Sequence, residues 1–144
     1  MNPSEMNRVI DAHFAAETSG DLDGIVATVS DAVSHEMLVA GMESLSGRDA
    51  VRTFYGDLLR DLRLDGYTST RRLFGPDHAW EEGVVEATAV GRPFGLPGEG
   101  RTITFRLNHL FEFGDGLISR EVGMLDVAAI LGQLSAPSPP VAPV

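Results

Sequence analysis

The sequence contains no cysteine and no lysine, and it has no long hydrophobic run. The absence of cysteine excludes disulfides, thiolate nucleophiles and Cys-ligated zinc or iron–sulfur centres. The absence of lysine excludes Schiff-base catalysis and a phosphate-loop lysine. Because no segment approaches the roughly 18 apolar residues that cross a bilayer, and no basic and apolar leader opens the chain, we expect a cytoplasmic protein.

Positive charge is also scarce. Eleven arginines face 21 acidic residues, which gives a formal net charge of −10. Such a chain repels phosphate backbones and anionic membrane surfaces, so nucleic acid and membranes are not expected partners. The 144 residues, 43% of them hydrophobic, suffice for one compact domain.

The first half of the chain has helical periodicity. A helix is predicted over residues 3–18, and a shorter one follows Asp21. A third helix is predicted after a cap formed by Ser46 and Asp49. Its apolar positions are Val51, Phe54, Tyr55, Leu58, Leu59 and Leu62.

The second half alternates with period two, which is typical of strands. Strands are predicted over 66–74, 78–90, 101–113 and 117–126, after a short one over 33–39. Helices followed by a mostly antiparallel sheet indicate an α+β fold in which a curved sheet wraps a long helix. The Gly- and Pro-rich loop 95–100 can cover a pocket mouth, and the proline-rich segment 135–144 is an expected disordered tail.

Two sets of motifs resemble a known family. The Ser46-Gly47-Arg48 start of a helix that contains Phe54-Tyr55 resembles the cone-shaped domain of nuclear transport factor 2 and ketosteroid isomerase. A narrower set resembles the SnoaL-like polyketide cyclases, and the domain so identified covers residues 1–134. That set comprises Ala87-Thr88-Ala89-Val90-Gly91, Gly95-Leu96-Pro97, Gly100-Arg101, Gly116-Leu117-Ile118, and Asp126 ahead of Ile130-Leu131-Gly132-Gln133-Leu134.

The resemblance implies a deep apolar pocket, a homodimer, no metal or organic cofactor, and acid/base chemistry on polyketide-like molecules. Asp126 matches the family's catalytic aspartate. The family's Gly-Thr-His is Ala87-Thr88-Ala89 here, and its Glu-His-Trp on the last strand is Arg120-Glu121-Val122. Two histidines of the pattern are therefore missing, which puts the family's aldol chemistry in doubt for this chain.

The residues themselves offer several candidate catalytic groups. His109 shares a strand face with apolar neighbours, and Asp126 is the acid expected beside it, although both residues also fit structural roles, Asp126 as a helix cap. His35 faces inward in one register of its strand and Glu36 in the other. Glu82 shares a strand face with an indole that can raise the pKa of its carboxyl group.

The expected substrate-binding wall is mostly apolar. Tyr55 belongs to the buried stripe of the third helix, where its hydroxyl needs a partner. The predicted wall residues are Trp80, Tyr55, Phe105, Leu107, Met124 and Leu96. The four histidines are scattered along the sequence, so no metal site is expected.

Three functions remain open from the sequence. The first is a cyclase of polyketide biosynthesis, working either by acid/base catalysis through His109 and Asp126 or by shape-driven cycloaddition, which the missing histidines favour. The second is an epoxide hydrolase or double-bond isomerase that uses Asp126 with Glu82 or His35. The third is a non-catalytic small-molecule binder.

Overall fold

The computed structural model describes residues 1–137. These residues form four α-helices, six β-strands and one short 3₁₀ turn, Pro93–Gly95. The helices are α1 (Pro3–Ser19), α2 (Leu22–Ala27), α3 (Arg48–Asp61) and α4 (Val127–Ser135). The strands are β1 (Val29–Met37), β2 (Leu45–Ser46), β3 (Leu62–Phe74), β4 (His78–Ala89), β5 (Arg101–Gly114) and β6 (Leu117–Leu125).

The six strands form one curved sheet in the order β2-β1-β6-β5-β4-β3. All neighbouring pairs are antiparallel except β1 and β6, which run parallel. Helices α1 and α3 pack against this sheet, and their apolar side chains meet those of the strands in two buried clusters. The predicted α+β architecture is therefore confirmed.

Local capping explains where the first helices begin. Asn2 and Glu5 form a capping box at the start of α1, and the Asp21 carboxylate accepts a hydrogen bond from Gly24 N in α2. The predicted cap of α3 is wrong. Gly47, with φ of 91°, precedes that helix without any side-chain cap, because Ser46 pairs with β1 as part of β2.

The inward face of β4 differs from the prediction. Its buried residues are Ala79, Glu81, Gly83, Val85, Ala87 and Ala89. Trp80 and Glu82 therefore point to the outer face, where Trp80 Nε1 donates to Glu82 Oε1 at 3.0 Å. The inward face has room only for small groups at Gly83, because a Cβ there would lie 2.2 Å from the Tyr67 hydroxyl oxygen. The predicted pocket wall at Trp80 is thus wrong.

A buried ion pair joins α1 to β3 and β4. Glu81 is completely buried, and Arg72 Nε donates to its carboxylate. Arg72 also reaches α1, donating from NH1 to Asn7 Oδ1 at 2.5 Å and to Asp11 Oδ1 at 2.8 Å. The Tyr67 hydroxyl donates to Glu81 Oε1 at 3.2 Å. One guanidinium thus compensates a carboxylate that has no contact with water.

Two sequence-based expectations concern the ends and surroundings of the chain. The predicted tail over 135–144 lies mostly outside the described residues, which end at residue 137. Its first residue, Ser135, is the last residue of α4. Within residues 1–137, no helix combines the length and apolarity that spanning a membrane requires.

Removing the Arg72 cation is expected to destabilise the fold. Arg72→Met leaves Glu81 buried without its counter-ion, which costs about 3 kcal/mol of unfolding free energy. Urea denaturation measures this loss. Arg71→Met, a change at the exposed neighbouring arginine, is the matched control and should shift the free energy by less than about 0.5 kcal/mol. Equal effects of the two substitutions would contradict this account of the pair.

Candidate active site

A cavity of about 390 Å³ lies between α3 and the sheet. Most of its wall is apolar and comes from α3, β3, β5 and the loop after β4. The apolar lining residues are Met37, Val39, Met42, Phe54, Leu58, Leu62, Leu64, Val85, Pro93, Phe94, Phe105, Leu107 and Leu125. The polar lining residues are Glu17, Tyr55, Asp57, Asp61 and His109. The cavity wall is thus largely apolar, with a few polar groups.

The inner end of the cavity borders a buried polar cluster, which we define as His13, Glu17, Thr28, His35, Tyr55, His109 and Glu121. Every member is at most 8% exposed. Helix α1 supplies His13 and Glu17 one turn apart, so both side chains lie on the same helix face. The remaining members come from α3, β1, β5, β6 and the residue after α2.

His13 is held as a doubly protonated imidazolium. Thr28 Oγ1 donates its proton to the Ile25 carbonyl at 2.7 Å, so His13 Nδ1 donates to Thr28 Oγ1 at 2.6 Å. His13 Nε2 lies 2.9 Å from Glu17 Oε1 and 3.4 Å from Glu121 Oε2. Burial lowers the pKa of His13, but the attraction of Glu121 and Glu17 outweighs it and raises that pKa to about 10.

The Glu121 carboxylate is the centre of the cluster. Three imidazoles surround it: besides His13, His35 Nε2 lies 3.9 Å from Oε2, and His109 Nε2 lies 3.6 Å from Oε1. Burial raises the pKa of Glu121, whereas the charge of the nearby His13 imidazolium lowers it, with a net shift downward. Glu121 is therefore ionised although it is completely buried.

Tyr55 and His109 connect this cluster to the cavity. The Tyr55 hydroxyl lies 3.0 Å from Glu17 Oε1 and 3.2 Å from Glu121 Oε1, and it donates to these carboxylates. Burial and both carboxylates raise the pKa of Tyr55 well above its usual value, so the phenol keeps its proton. Burial lowers the pKa of His109 more than Glu121 raises it, so this imidazole is neutral.

His109 is also positioned by aromatic packing. Its ring stacks on Phe111 at a centroid distance of 5.1 Å and contacts Phe14 at 5.2 Å. Its Nε2 faces Glu121, whereas its Nδ1 is buried and has no hydrogen-bond partner among the described residues. The imidazole therefore keeps a nitrogen that the protein does not use.

Asp126 does not lie where the sequence predicted. It is exposed, it is absent from the cavity wall, and its Oδ1 accepts a hydrogen bond from Ala129 N at the start of α4. The prediction that it projects into the cavity beside His109 is wrong. Chain direction explains this, because Asp126 follows the end of β6 and turns outward to cap the next helix. Glu121, five residues earlier, is the acid next to His109.

The other predicted site residues divide into two groups. His35 faces inward at 1% exposure, while Glu36 lies on the other face near Arg120. Tyr55, Phe105, Leu107 and His109 line the cavity, whereas Leu96 and Met124 do not. Glu82 lies on the outer face with Trp80 and so cannot reach the cluster.

The sequence analysis missed His13, Glu17 and Glu121. One signal was available, since His13 and Glu17 are four residues apart on the apolar stripe of α1. A histidine and a glutamate on a buried helix face each require a partner. Glu121 gave no such signal, because nothing in the order of residues shows which side of β6 faces the cavity.

Three members of the cluster can also act as metal ligands. One donor atom each from His13, Glu17 and Glu121 lie within 4.8 Å of one another, so folding gathers ligands that are scattered in the sequence. A metal ion at this point requires the lone pair of His13 Nε2. That nitrogen instead directs a proton at Glu17, so a metal ion would compete with the proton of a strongly basic imidazole.

The ionised His13 predicts a characteristic pH dependence of stability. A pKa raised from 6.5 to about 10 stabilises the fold fully below pH 6.5, and this contribution is lost as the pH rises toward 10. Because the chain has no lysine or cysteine, few other groups titrate between pH 7 and 9. Over that range the free energy of unfolding should fall by on the order of 3 kcal/mol.

The matched variants for this measurement are His13→Gln and His78→Gln. The first should be less stable at pH 7 and should lose most of the decline between pH 7 and 9. His78 is exposed, so its substitution should leave the decline unchanged. A decline that persists in His13→Gln would show that another group causes it.

Several solved structures have the same fold as this chain. A SnoaL-like polyketide cyclase candidate from Jannaschia sp. CCS1 superposes with a TM-score of 0.83 at 17% identity over 96% of this chain and 98% of its own. A polyketide cyclase candidate from Silicibacter sp. TM1040 gives 0.76 at 26% identity over 91% and 96%.

Another solved structure with this fold is named for a different reaction. An LEH-like epoxide hydrolase from M. tuberculosis gives a TM-score of 0.72 at 19% identity over 91% of this chain and 90% of its own. The family model for SnoaL-like polyketide cyclases matches residues 6–134, which is most of the sequence. The chain therefore belongs to the SnoaL-like polyketide cyclase family.

Proposed function

We propose that the protein is a cofactor-free cyclase that closes a carbocyclic ring in an apolar, polyketide-derived molecule by acid/base catalysis. One observation carries this proposal. An apolar cavity of about 390 Å³ ends at the neutral imidazole of His109, and the ionised carboxylate of Glu121 lies 3.6 Å from that imidazole. An apolar wall holds the carbon skeleton, and the imidazole supplies the proton transfer.

His109 acts as the general base. In the tautomer that carries its proton on Nε2, 3.6 Å from Glu121 Oε1, the Nδ1 atom has the lone pair that removes a proton from a carbon next to a carbonyl group. The Glu121 carboxylate then stabilises the imidazolium that forms. Because burial lowers the pKa of His109, the ring starts in the neutral form that this step requires.

The same groups complete the ring closure. The enolate carbon attacks a second carbonyl of the same molecule, which forms the new carbon–carbon bond and leaves an alkoxide. The His109 imidazolium returns the proton to that oxygen, so the reaction is an isomerisation that needs no external reagent. Tyr55 keeps its proton but directs it at Glu17 and Glu121, so it holds these carboxylates in place, and the His109 imidazolium is the donor that stabilises the developing oxyanion.

The alternatives have weaker support. A shape-driven cycloaddition needs only the apolar wall and gives no reason for a buried cluster with three imidazoles. The epoxide hydrolase or isomerase hypothesis used Asp126 with Glu82 or His35, and none of these three residues lines the cavity. The homodimer and the absence of nucleic acid binding stay predictions from the sequence.

Proton abstraction can be tested without the natural substrate. We expect the protein to accelerate exchange of the α-protons of 2-tetralone, an apolar bicyclic ketone, with deuterium from D₂O, which ¹H NMR follows. His109→Gln should slow this exchange by about 100-fold. Binding of the ketone should change little, since the amide keeps the size and polarity of the ring.

Asp126→Asn is the matched control, because asparagine also caps helices and the side chain lies outside the cavity. It should leave the exchange rate within about two-fold of the wild type. No exchange above the buffer rate, or equal rates for the wild type and His109→Gln, would contradict acid/base catalysis by His109.

A further inference from the structure

Three donor atoms of the buried cluster converge on one point between α1 and β6. His13 Nε2 lies 2.9 Å from Glu17 Oε1 and 3.4 Å from Glu121 Oε2. One donor atom from each of these residues lies within 4.8 Å of the other two. Zinc binds nitrogen and oxygen at about 2.0–2.2 Å, so two ligands of a tetrahedral site lie roughly 3.3–3.6 Å apart. Small movements of the two carboxylates therefore suffice to give the spacing that such an ion requires.

The groups around these donors hold them as metal ligands are usually held. A metal-binding histidine generally donates its other ring N–H to a protein group, and the ligating carboxylates accept hydrogen bonds of their own. His13 Nδ1 donates to Thr28 Oγ1 at 2.6 Å, which leaves Nε2 to face the carboxylates. The Tyr55 hydroxyl lies 3.0 Å from Glu17 Oε1 and 3.2 Å from Glu121 Oε1. Each of the three donor side chains thus has an outer partner.

The Glu121 carboxylate has an oxygen that the surrounding side chains leave unused. Glu121 is completely buried, and its Oε2 has no hydrogen-bond partner among residues 1–137. Buried polar atoms in proteins almost always have a partner. This oxygen faces His13 Nε2, and the equally unpartnered Nε2 of His35 lies 3.9 Å from it. A cation bound between His13 and Glu121 gives Oε2 the partner that these side chains do not provide.

The charges of the cluster favour an ion that is doubly positive. Glu17 and Glu121 have His13 as their common basic partner. One imidazolium offsets only one of the two carboxylate charges, whereas a divalent ion offsets both. The ion therefore compensates the buried acids more completely than the proton on His13 Nε2 does.

The cavity gives an ion a route to this point. Glu17 and Tyr55 belong to both the cluster and the cavity wall, and Glu17 is 6% exposed. The same wall includes two more exposed carboxylates, those of Asp57 and Asp61. Because the chain also has a net charge of −10, its field attracts cations.

We propose that His13, Glu17 and Glu121 bind one divalent transition-metal ion, such as Zn²⁺, in place of the proton that His13 Nε2 directs at Glu17. Three protein ligands leave a fourth position for water. Because α1 supplies two ligands and β6 the third, the ion links the first helix to the last strand. This site does not depend on the proposed function, whose chemistry needs no metal ion, so the two proposals can fail separately.

Cobalt spectroscopy tests the site in the wild-type protein. Protein prepared without metal ions is titrated with CoCl₂ at pH 7.5. We expect one Co²⁺ per chain with the strong visible absorption of a four- or five-coordinate centre, and one equivalent of Zn²⁺ should abolish it. Surface carboxylates hold six-coordinate Co²⁺, which absorbs weakly. Weak absorption alone, even with Co²⁺ in excess, overturns the proposal.

A ligand substitution identifies the residues involved. Isothermal titration calorimetry should give a micromolar dissociation constant for Zn²⁺ with the wild type. Loss of an outer partner already costs a metal site roughly 10–100-fold in affinity, so Glu17→Gln, which removes a direct ligand, should weaken binding by at least about 100-fold. Glu86→Gln removes the same charge from an exposed residue of β4 and should change the constant by less than about twofold. Equal weakening by both substitutions would show that only the overall charge matters, which overturns the site.

A second pair of variants keeps the test decisive if Glu17→Gln does not fold, which circular dichroism shows. His13→Gln should also weaken Zn²⁺ binding at least about 100-fold, whereas His78→Gln, at an exposed histidine beside Asp77, should not. Zn²⁺ should also raise the Tm of the wild type and of His78→Gln, and leave that of His13→Gln unchanged. Binding to His13→Gln that is as tight as to the wild type would place the ion elsewhere and overturn the proposal.

Discussion

The structure depends on the ionised carboxylate of Glu121, which is completely buried. Such a charge costs several kcal/mol unless partners compensate it. The charge of His13 from α1 and the hydroxyl of Tyr55 from α3 supply this compensation, and His35 from β1 and His109 from β5 lie 3.9 and 3.6 Å from the carboxylate. The same interaction therefore fixes how helices and sheet meet and sets the protonation state of the groups that face the cavity.

The fold could largely be predicted from the sequence. Alternation along β5 correctly placed Phe105 and His109 on the inner face, and helical spacing correctly assigned Tyr55 to the buried side of α3. These patterns succeed because burial of apolar side chains repeats with the period of each element. They fail at Trp80, where a large aromatic residue lies outside and the small Gly83 lies inside.

The site could be predicted only in part, because it consists of contacts between distant segments. The pair of His109 with an acid was anticipated, yet the acid is Glu121 and not Asp126. Register and chain direction at the end of β6 decide between these two residues, and neither can be read from spacing. His13 lies within the predicted first helix, but its role depends on a carboxylate 108 positions further along the chain.

The acidic and basic residues of this site occupy different positions from those that the family resemblance implied. At the point where the family resemblance predicted a histidine on the last strand, this chain has Glu121, and histidines of α1, β1 and β5 surround that carboxylate. A fold therefore transfers more readily than the identity of its acids and bases.

Side-chain ¹⁵N NMR of the histidines at pH 8 tests the central claim most directly, because it reports the protonation of each ring nitrogen. With an ionised Glu121 at the centre, His13 should have protons on both nitrogens, and His109 should be neutral with its proton on Nε2. A neutral His13 at that pH would show that the buried carboxylate does not hold the charge assigned to it, and the account of the site would be wrong.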